Sequence, residues 1–340
     1  MRLGFNPNKD KEISKSEYFH QVIIPVYIPN QEGYFKDSFE ILKLCLSSLW
    51  KTSHSKTYVT IVNNGSCEII VDYLNVLYKE NRIQELVHVS NIGYINAMLK
   101  GVAGQKFDLI TTSDADVLFL NGWQEATYQL FQNFSRCGAV CPTPSSRSLR
   151  TFTSNIYWDF LFSKKIRFKE VVNQEALKKF GISIGNENFY NDIQLKKNLT
   201  ISNNNQTAVI GAGHFVVTYR ASIFDTLEKR YTEYIMGGGS DDLFDVPVVK
   251  KGFWRLSTAD NYTYHMGNVL EVWMHDEVSK LKESDLENSF KLKFVKSKGK
   301  LEYLIKTKMF GKIILKKNRM KYFLMWKGLS KREAENYLKG

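Results

Sequence analysis

Apolar and polar positions alternate between two periods over the first 140 residues. Short β-branched runs such as QVIIPVYI at 21–28 are typical of buried strands. Between them, apolar residues recur at helical spacing, as in SFEILKLCLSSLW at 38–50. Alternation at this spacing predicts right-handed βαβ units and an α/β fold with a mostly parallel central sheet flanked by helices. The predicted strands are 21–28, 58–65, 85–90, 107–116 and 138–142, and the predicted helices are 38–50, 68–80, 93–104 and 122–134.

The second half of the chain has a weaker pattern. Residues 145–205 are rich in Asn, Ser and Lys, and we interpret them as a variable insertion or lid. From 206 the pattern predicts a strand at 206–220, a helix near 220–229, a helix opening at 241–245, one or two strands at 252–265, and helix from about 270 to the end. We expect a catalytic domain over 1–268 and a helical basic region over 269–340.

Charge is unevenly distributed along the 340 residues. The formal net charge is +12. Residues 291–340 hold 16 Lys and Arg against 3 Asp and Glu, a net charge of +13, whereas the first 290 residues hold 31 against 32. The body is therefore neutral, which argues against a basic nucleic-acid-binding surface, and we expect no nucleic-acid partner.

Composition narrows the class of protein further. Four cysteines are too few for a disulfide framework, and we expect free thiols in a reducing compartment. The sequence has no secretory signal and no apolar run long enough to span a bilayer. These features predict a cytoplasmic protein.

The first candidate for chemistry is the Asp114-x-Asp116 pair at the end of a predicted strand. Two carboxylates one residue apart can both bind one divalent cation, and oxygen ligands suit Mg²⁺ or Mn²⁺. An acidic turn without a metal is the alternative. Ligands of parallel sheets bind outside the carboxyl ends of the strands, so the loops after 28, 63, 90 and 113 are expected to form one site.

Polar turns follow the neighbouring strands. Asn63 and Asn64 precede Gly65 in a turn that could contact a base or ribose, or could be an ordinary tight turn. Small residues recur every four positions from Gly93, which permits close packing against the sheet or a nucleotide.

Two later features carry acidic and imidazole groups. Asp241 and Asp242 follow three glycines at a predicted helix start, where a carboxylate could act as a general base or simply cap the helix. His265 follows a predicted strand and could ligate a metal, and His214 could line a pocket, although packing is the commoner role of such residues.

Taken in order, these motifs resemble family 2 inverting glycosyltransferases of bacterial type with the GT-A fold. The resemblance covers about residues 20–268. Its residues are Pro25-Val26-Tyr27, Asn63-Asn64-Gly65-Ser66, Asn91-x-Gly93-x-x-x-Ala97-x-Leu99-x-Gly101, Asp114-x-Asp116, Asp241-Asp242 and His265-x-Gly267.

The resemblance implies a nucleotide-diphosphate sugar as donor, with a UDP-sugar as the first guess, and Mn²⁺ or Mg²⁺ as cofactor. It implies metal ligation by Asp114, Asp116 and His265, and a base at Asp242 with Asp241 as the alternative. Donor contacts are implied for Pro25, Val26, Tyr27, Asn63, Asn64, Asn91, Gly93, Asn96 and Asp114. The acceptor would be a glycan or a lipid-linked glycan.

The chain departs from that family's pattern in three places. The family often has Asp in the turn of Asn63 and Asn64, often has Asn where Leu99 stands, and usually has Glu-Asp where this chain has Asp241-Asp242. Two rival functions remain at this point. One is a nucleotidyltransferase that forms nucleotide-sugars, although the Gly-rich phosphate loop of that class is missing after the first strand; the other is an inactive sugar-binding protein of the same fold.

The basic tail mixes Lys with large apolar residues over 298–327 at roughly helical spacing. A basic amphipathic helix suits an anionic membrane surface, and the enzyme could then be peripheral on the inner face of the cell membrane. Helices that pack on the catalytic body explain the same pattern equally well.

Overall fold

The computed structural model describes residues 4–12, 16–203, 206–286 and 290–339. Within them, the strands are β1 (His20–Val26), β2 (Thr57–Asn64), β3 (Glu85–Val89), β4 (Leu109–Ser113), β5 (Val117–Phe119), β6 (Cys137–Cys141), β7 (Ile166–Glu170), β8 (Lys197–Asn203), β9 (Gln206–Ile210), β10 (Val216–Arg220), β11 (Trp254–Thr258) and β12 (Thr263–His265). The helices are α1 (Ser38–Thr52), α2 (Glu68–Lys79), α3 (Tyr94–Val102), α4 (Trp123–Asn133), α5 (Ser154–Asp159), α6 (Gln174–Ser183), α7 (Asp192–Lys196), α8 (Val246–Lys250), α9 (Val272–Lys280), α10 (Lys300–Tyr303), α11 (Phe310–Ile314), α12 (Lys317–Trp326) and α13 (Lys331–Tyr337).

A ten-stranded sheet organises the chain in the order β3-β2-β1-β4-β10-β6-β11-β9-β8-β7. Strands β3, β2, β1 and β4 pair in parallel, as the alternating pattern predicts. Strand β10 lies antiparallel between β4 and β6, and β6 pairs in parallel with β11. The predicted α/β fold, a central sheet flanked by helices, is confirmed.

The sheet continues into the segment interpreted as an insertion or lid. Residues 145–205 contribute β7 and β8, which pair antiparallel and extend the sheet through β9. Helix α6 of the same segment packs against β12. The weak periodicity of this segment reflects short elements with different partners.

Several predicted elements were wrong. The expected strand 206–220 is two strands, β9 and β10, because Gly211 makes a turn at φ 101° between them. The helix expected near 220–229 is a 3₁₀ turn at Ala221–Thr226. The helix expected from 270 onward stops at Lys280, and in the described residues it resumes at Lys300.

The basic tail is joined to the body through apolar packing. Met320, Phe323, Leu324 and Tyr337 are buried in one cluster with Tyr128 and its neighbours beside the sheet. The four cysteines are free, as expected. Among the described residues, the helices are too short or too polar to span a bilayer.

Candidate active site

The carboxyl ends of the parallel strands place the predicted residues along one edge of the sheet. Asp114 and Asp116 follow β4, where the chain turns into the short strand β5. Strand β12 pairs antiparallel with β5, so that His265 lies opposite Val117. The amide of Met266 donates to the carbonyl of Asp116 over 2.8 Å. This three-residue pairing brings His265 to Asp116, which lies 149 positions earlier in the chain.

Asp114, Asp116 and His265 form a group with the donor set of a cation site. Their ligand atoms all lie within 4.8 Å of one another. Nε2 of His265 lies 3.5 Å from Oδ2 of Asp116. Carboxylate oxygens suit Mg²⁺ or Mn²⁺, and an imidazole nitrogen favours Mn²⁺ over Mg²⁺. The residues therefore fit the implied metal.

The electrostatics of the cluster also fit a cation. Burial, and then the charge of Asp116, raises the pKa of Asp114. Burial raises the pKa of Asp116, while the neighbouring His265 lowers it. Tyr94, from the start of α3, donates its hydroxyl to Asp114 Oδ1. Two carboxylates held this close repel each other, and a cation between them would relieve that repulsion.

Helix α6 fixes the orientation of His265. The hydroxyl of Ser183 donates to the carbonyl of Phe180 over 2.9 Å, so its oxygen is left to accept from His265 Nδ1, also at 2.9 Å. Nδ1 is thereby assigned as the donor to Ser183, and Nε2 faces the carboxylates. Phe180 and Phe215 enclose the imidazole edge-on at 5.9 and 5.5 Å. Sequence reasoning missed Ser183 because it lies in the segment with the weakest pattern.

The asparagines after β2 and β3 form a hydrogen-bonded network. Asn63 accepts from the Ser66 amide at 3.0 Å and contacts His88 Nδ1 at 2.9 Å. Asn64 donates to Asn91 Oδ1 at 3.3 Å. Since both Asn63 and Asn64 are 3% exposed, their amides shape the loops at this edge.

Gly93 and Asn96 hold a second loop against the start of α3. Gly93 has φ 89°, and a Cβ there would lie 2.6 Å from the carbonyl of Tyr234. The Asn96 amide donates to the Thr232 carbonyl at 2.9 Å and accepts from the Thr232 amide at 2.8 Å. Both polar atoms of Asn96 are thus engaged with the loop that leads to Asp241.

The residues predicted around the end of β1 differ in exposure. Pro25 and Val26 are buried within the strand, whereas Tyr27 is 40% exposed and packs edge-on to Phe35 at 5.9 Å. Tyr27 is the one of the three whose side chain is accessible to a ligand.

The acidic pair occupies π-type turns at Asp241–Asp245, a geometry that is frequent at functional sites. Both Asp241 and Asp242 are exposed. The carboxylate of Asp241 lies in a group with His214 and Asp245 whose ligand atoms are within 4.8 Å of one another.

Behind this group, a buried ion pair fixes the turn. Asp245 Oδ1 lies 2.7 Å from Arg255 NH2, and both side chains are fully buried. Burial raises the pKa of Asp245, while Arg255 and then His214 oppose that shift. Asp241 and Asp242 therefore differ in their surroundings. Asp241 lies in a group with the half-exposed His214 and with Asp245, whereas Asp242 lies at the surface outside that group.

The sequence model of glycosyl transferase family 2 matches residues 22–187. This range runs from β1 to just beyond α6 and includes Asp114-x-Asp116 and Ser183. It stops before His265 and the acidic pair. Residues 22–187, just under half of the chain, are therefore similar in sequence to family 2 glycosyltransferases, in agreement with the family part of the predicted resemblance. No curated protein matches the chain.

Two of the solved structures that are similar to this chain are the following. One is TarS residues 1–349 from S. aureus, with 14% identity, a TM-score of 0.43, and coverage of 90% of this chain and 80% of that one. Another is mannosyltransferase PcManGT from Pyrobaculum calidifontis, in complex with GDP-Man and Mn²⁺, with 12% identity, a TM-score of 0.45, and coverage of 97% and 77%. These scores are too low to transfer a substrate or a residue's role to this chain.

Proposed function

We propose that the chain is a metal-dependent, inverting glycosyltransferase. It moves a sugar from a nucleotide-diphosphate sugar to an acceptor hydroxyl. One observation carries the proposal: the matched family 2 segment contains Asp114-x-Asp116, and the fold brings His265 from outside that segment into a group with the donor atoms of a metal site.

The donor lies along the carboxyl ends of the parallel strands. Tyr27 and the loops of Asn63, Asn64, Asn91 and Gly93 form the nucleotide side, and a UDP-sugar is the first donor to test. Asn96 acts on this side indirectly, because its hydrogen bonds to Thr232 hold the loop that leads to Asp241. Mn²⁺ or Mg²⁺ held by Asp114, Asp116 and His265 would supply positive charge to the departing diphosphate.

The transfer step needs one base. Asp242 takes the proton of the acceptor hydroxyl, the acceptor oxygen forms a bond to the anomeric carbon, and the bond from that carbon to the diphosphate oxygen breaks with its electron pair. Attack from the face opposite the leaving group inverts the configuration. The exposure of Asp242 supports its access to an incoming acceptor. Asp241 is the alternative base, and its carboxylate lies in a group with His214 and Asp245.

The acceptor is a glycan or a lipid-linked glycan, and the enzyme works in the cytoplasm. Asp241 and Asp242 are both exposed, so either carboxylate is accessible from solvent to such an acceptor.

Asparagine variants of the two acids test this mechanism. Asp242→Asn should lose transfer while retaining affinity for the nucleotide-sugar, because the amide keeps the shape of the carboxylate and cannot take a proton. Asp72→Asn, at an exposed position of α2, is the matched control. Transfer that survives in Asp242→Asn and disappears in Asp241→Asn would move the base to Asp241. Full transfer in both variants would overturn the mechanism.

A further inference from the structure

The helix over residues 300–314 exposes an apolar face to solvent. It consists of α10 and α11 joined by π-type turns at Leu304–Met309. Five apolar side chains lie outward, with exposed fractions from 36% to 70%: Leu301, Leu304, Ile305, Met309 and Ile313. Their spacing of three and four residues places them on one side of the helix.

The opposite face already attaches this helix to the body. Lys306 forms an ion pair with Asp159 at the end of α5, and a second pair at 2.6 Å with Glu302 of its own helix orients the lysine. Phe310 and Ile314 pack into the cluster beside the sheet. The helix therefore has polar and apolar contacts on its inner face, and packing on the body does not account for the apolar outer face.

Lysines border that face. Lys308, Lys312 and Lys316 are exposed, the first two directly before the outward apolar residues Met309 and Ile313, and residues 291–340 carry a net charge of +13. A second copy of the chain would bring an equal positive charge against this surface. An anionic surface complements it.

Exposed aromatic side chains also lie on or near α5 and α12, two helices that contact α11. Trp158 is 43% exposed and packs edge-on to Phe310 at 5.2 Å, and the exposed rings of Phe162 and Trp326 pair at 6.1 Å. Amphipathic aromatic rings beside lysines are typical of the interface between a bilayer and water.

We propose that the outer face of residues 300–314 docks on an anionic bilayer, with the apolar side chains entering the interface and the lysines contacting lipid headgroups. Docking concerns a surface apart from Asp114 and Asp242, so it can hold or fail independently of the proposed transfer. If both hold, docking would keep the enzyme at the membrane that carries a lipid-linked acceptor.

Vesicle co-sedimentation of the full chain tests the proposal. The chain should bind phosphatidylcholine vesicles that contain phosphatidylglycerol, and bind pure phosphatidylcholine far more weakly. The double variant Leu304→Glu/Met309→Glu should bind anionic vesicles at least about tenfold more weakly, since two side chains no longer enter the interface. Lys308→Gln/Lys312→Gln should weaken binding by about fivefold for each lysine removed.

The control carries the same change on another helix. Ile69 and Val76 are 46% and 50% exposed on α2, and Ile69→Glu/Val76→Glu should leave vesicle binding unchanged. Unchanged melting temperatures and donor binding show that each variant is folded. Equal binding by wild type and Leu304→Glu/Met309→Glu would overturn the proposal, as would absent binding to anionic vesicles. A dimer seen by light scattering and lost in that variant would assign the face to a second copy instead.

Discussion

Replacing Ser183 by Ala removes the one hydroxyl that accepts from His265 Nδ1. Nδ1 of the imidazole then loses its acceptor, which is the contact that holds Nε2 toward the carboxylates of Asp114 and Asp116. The His265 side chain is 15% exposed, so water only partly replaces the lost partner. We predict weaker metal binding without a change in the ligands themselves.

The size of the effect follows from the cost of the unpaired donor. A mostly buried donor left without a partner costs about 1–3 kcal/mol. If the whole cost applies to the His265 orientation that binds the metal, the affinity for Mn²⁺ falls by about 5-fold to 150-fold. Outer partners of metal-ligating histidines typically contribute about 10-fold to 100-fold. We therefore expect Ser183→Ala to bind Mn²⁺ about tenfold more weakly.

The assay is calorimetric or paramagnetic-resonance titration of Mn²⁺ into the full chain. Ser145→Ala is the matched control, because Ser145 lies in the same segment and contacts Tyr190 at 3.0 Å instead of His265. Ser183→Thr keeps the hydroxyl and should retain most of the affinity. Identical Mn²⁺ affinity in wild type and Ser183→Ala would refute the assigned role, and so would an equal loss in Ser145→Ala.

Three further predictions concern the loop, the core and pH. Asn96→Ala should speed amide exchange over 232–239 at least about tenfold, because the hydrogen bonds to Thr232 are lost; unchanged exchange contradicts this. Arg255→Met should lower the free energy of unfolding by about 3–5 kcal/mol, because Asp245 stays buried and unpaired. In denaturant titration, Arg255→Met/Asp245→Leu should recover part of that loss, and an Arg255→Met variant as stable as wild type refutes the prediction. Burial lowers the pKa of His54 to about 4, so the unfolded chain binds the proton more tightly than the folded chain. The free energy of unfolding should therefore fall by up to about 3 kcal/mol as the pH is lowered from about 6.5 to 4. His54→Gln should flatten this pH dependence, and an unaltered slope excludes His54 as its source.

The βαβ part of the fold was predictable because each element there shows one period over enough residues. VIIPV at 22–26 is apolar throughout and lies in β1, which is buried between β2 and β4. The pairing of β5 with β12 was not predictable, because strands of three residues are too short to show a period. That pairing nevertheless brings His265 to Asp116.

The candidate site divides in the same way. Asp114 and Asp116 are recognisable because they follow a clear strand. Ser183 and Arg255 act through contacts with residues 82 and 10 positions away, and their own surroundings in the sequence carry no signal for those contacts. The apolar residues of the tail follow helical spacing only roughly, and this also has a physical reason. Residues 300–314 carry apolar side chains on both faces of the helix.

The most direct test of the central claim is nucleotide release from a panel of UDP-, GDP- and dTDP-sugars, with and without Mn²⁺. It compares wild type with Asp116→Ala and with the control Asp72→Asn. We predict that at least one donor yields its nucleoside diphosphate with Mn²⁺ present, that chelation stops the release, and that Asp116→Ala abolishes it while Asp72→Asn does not. Release that continues without metal, or at the wild-type rate in Asp116→Ala, would contradict a metal-dependent glycosyltransferase site at Asp114, Asp116 and His265.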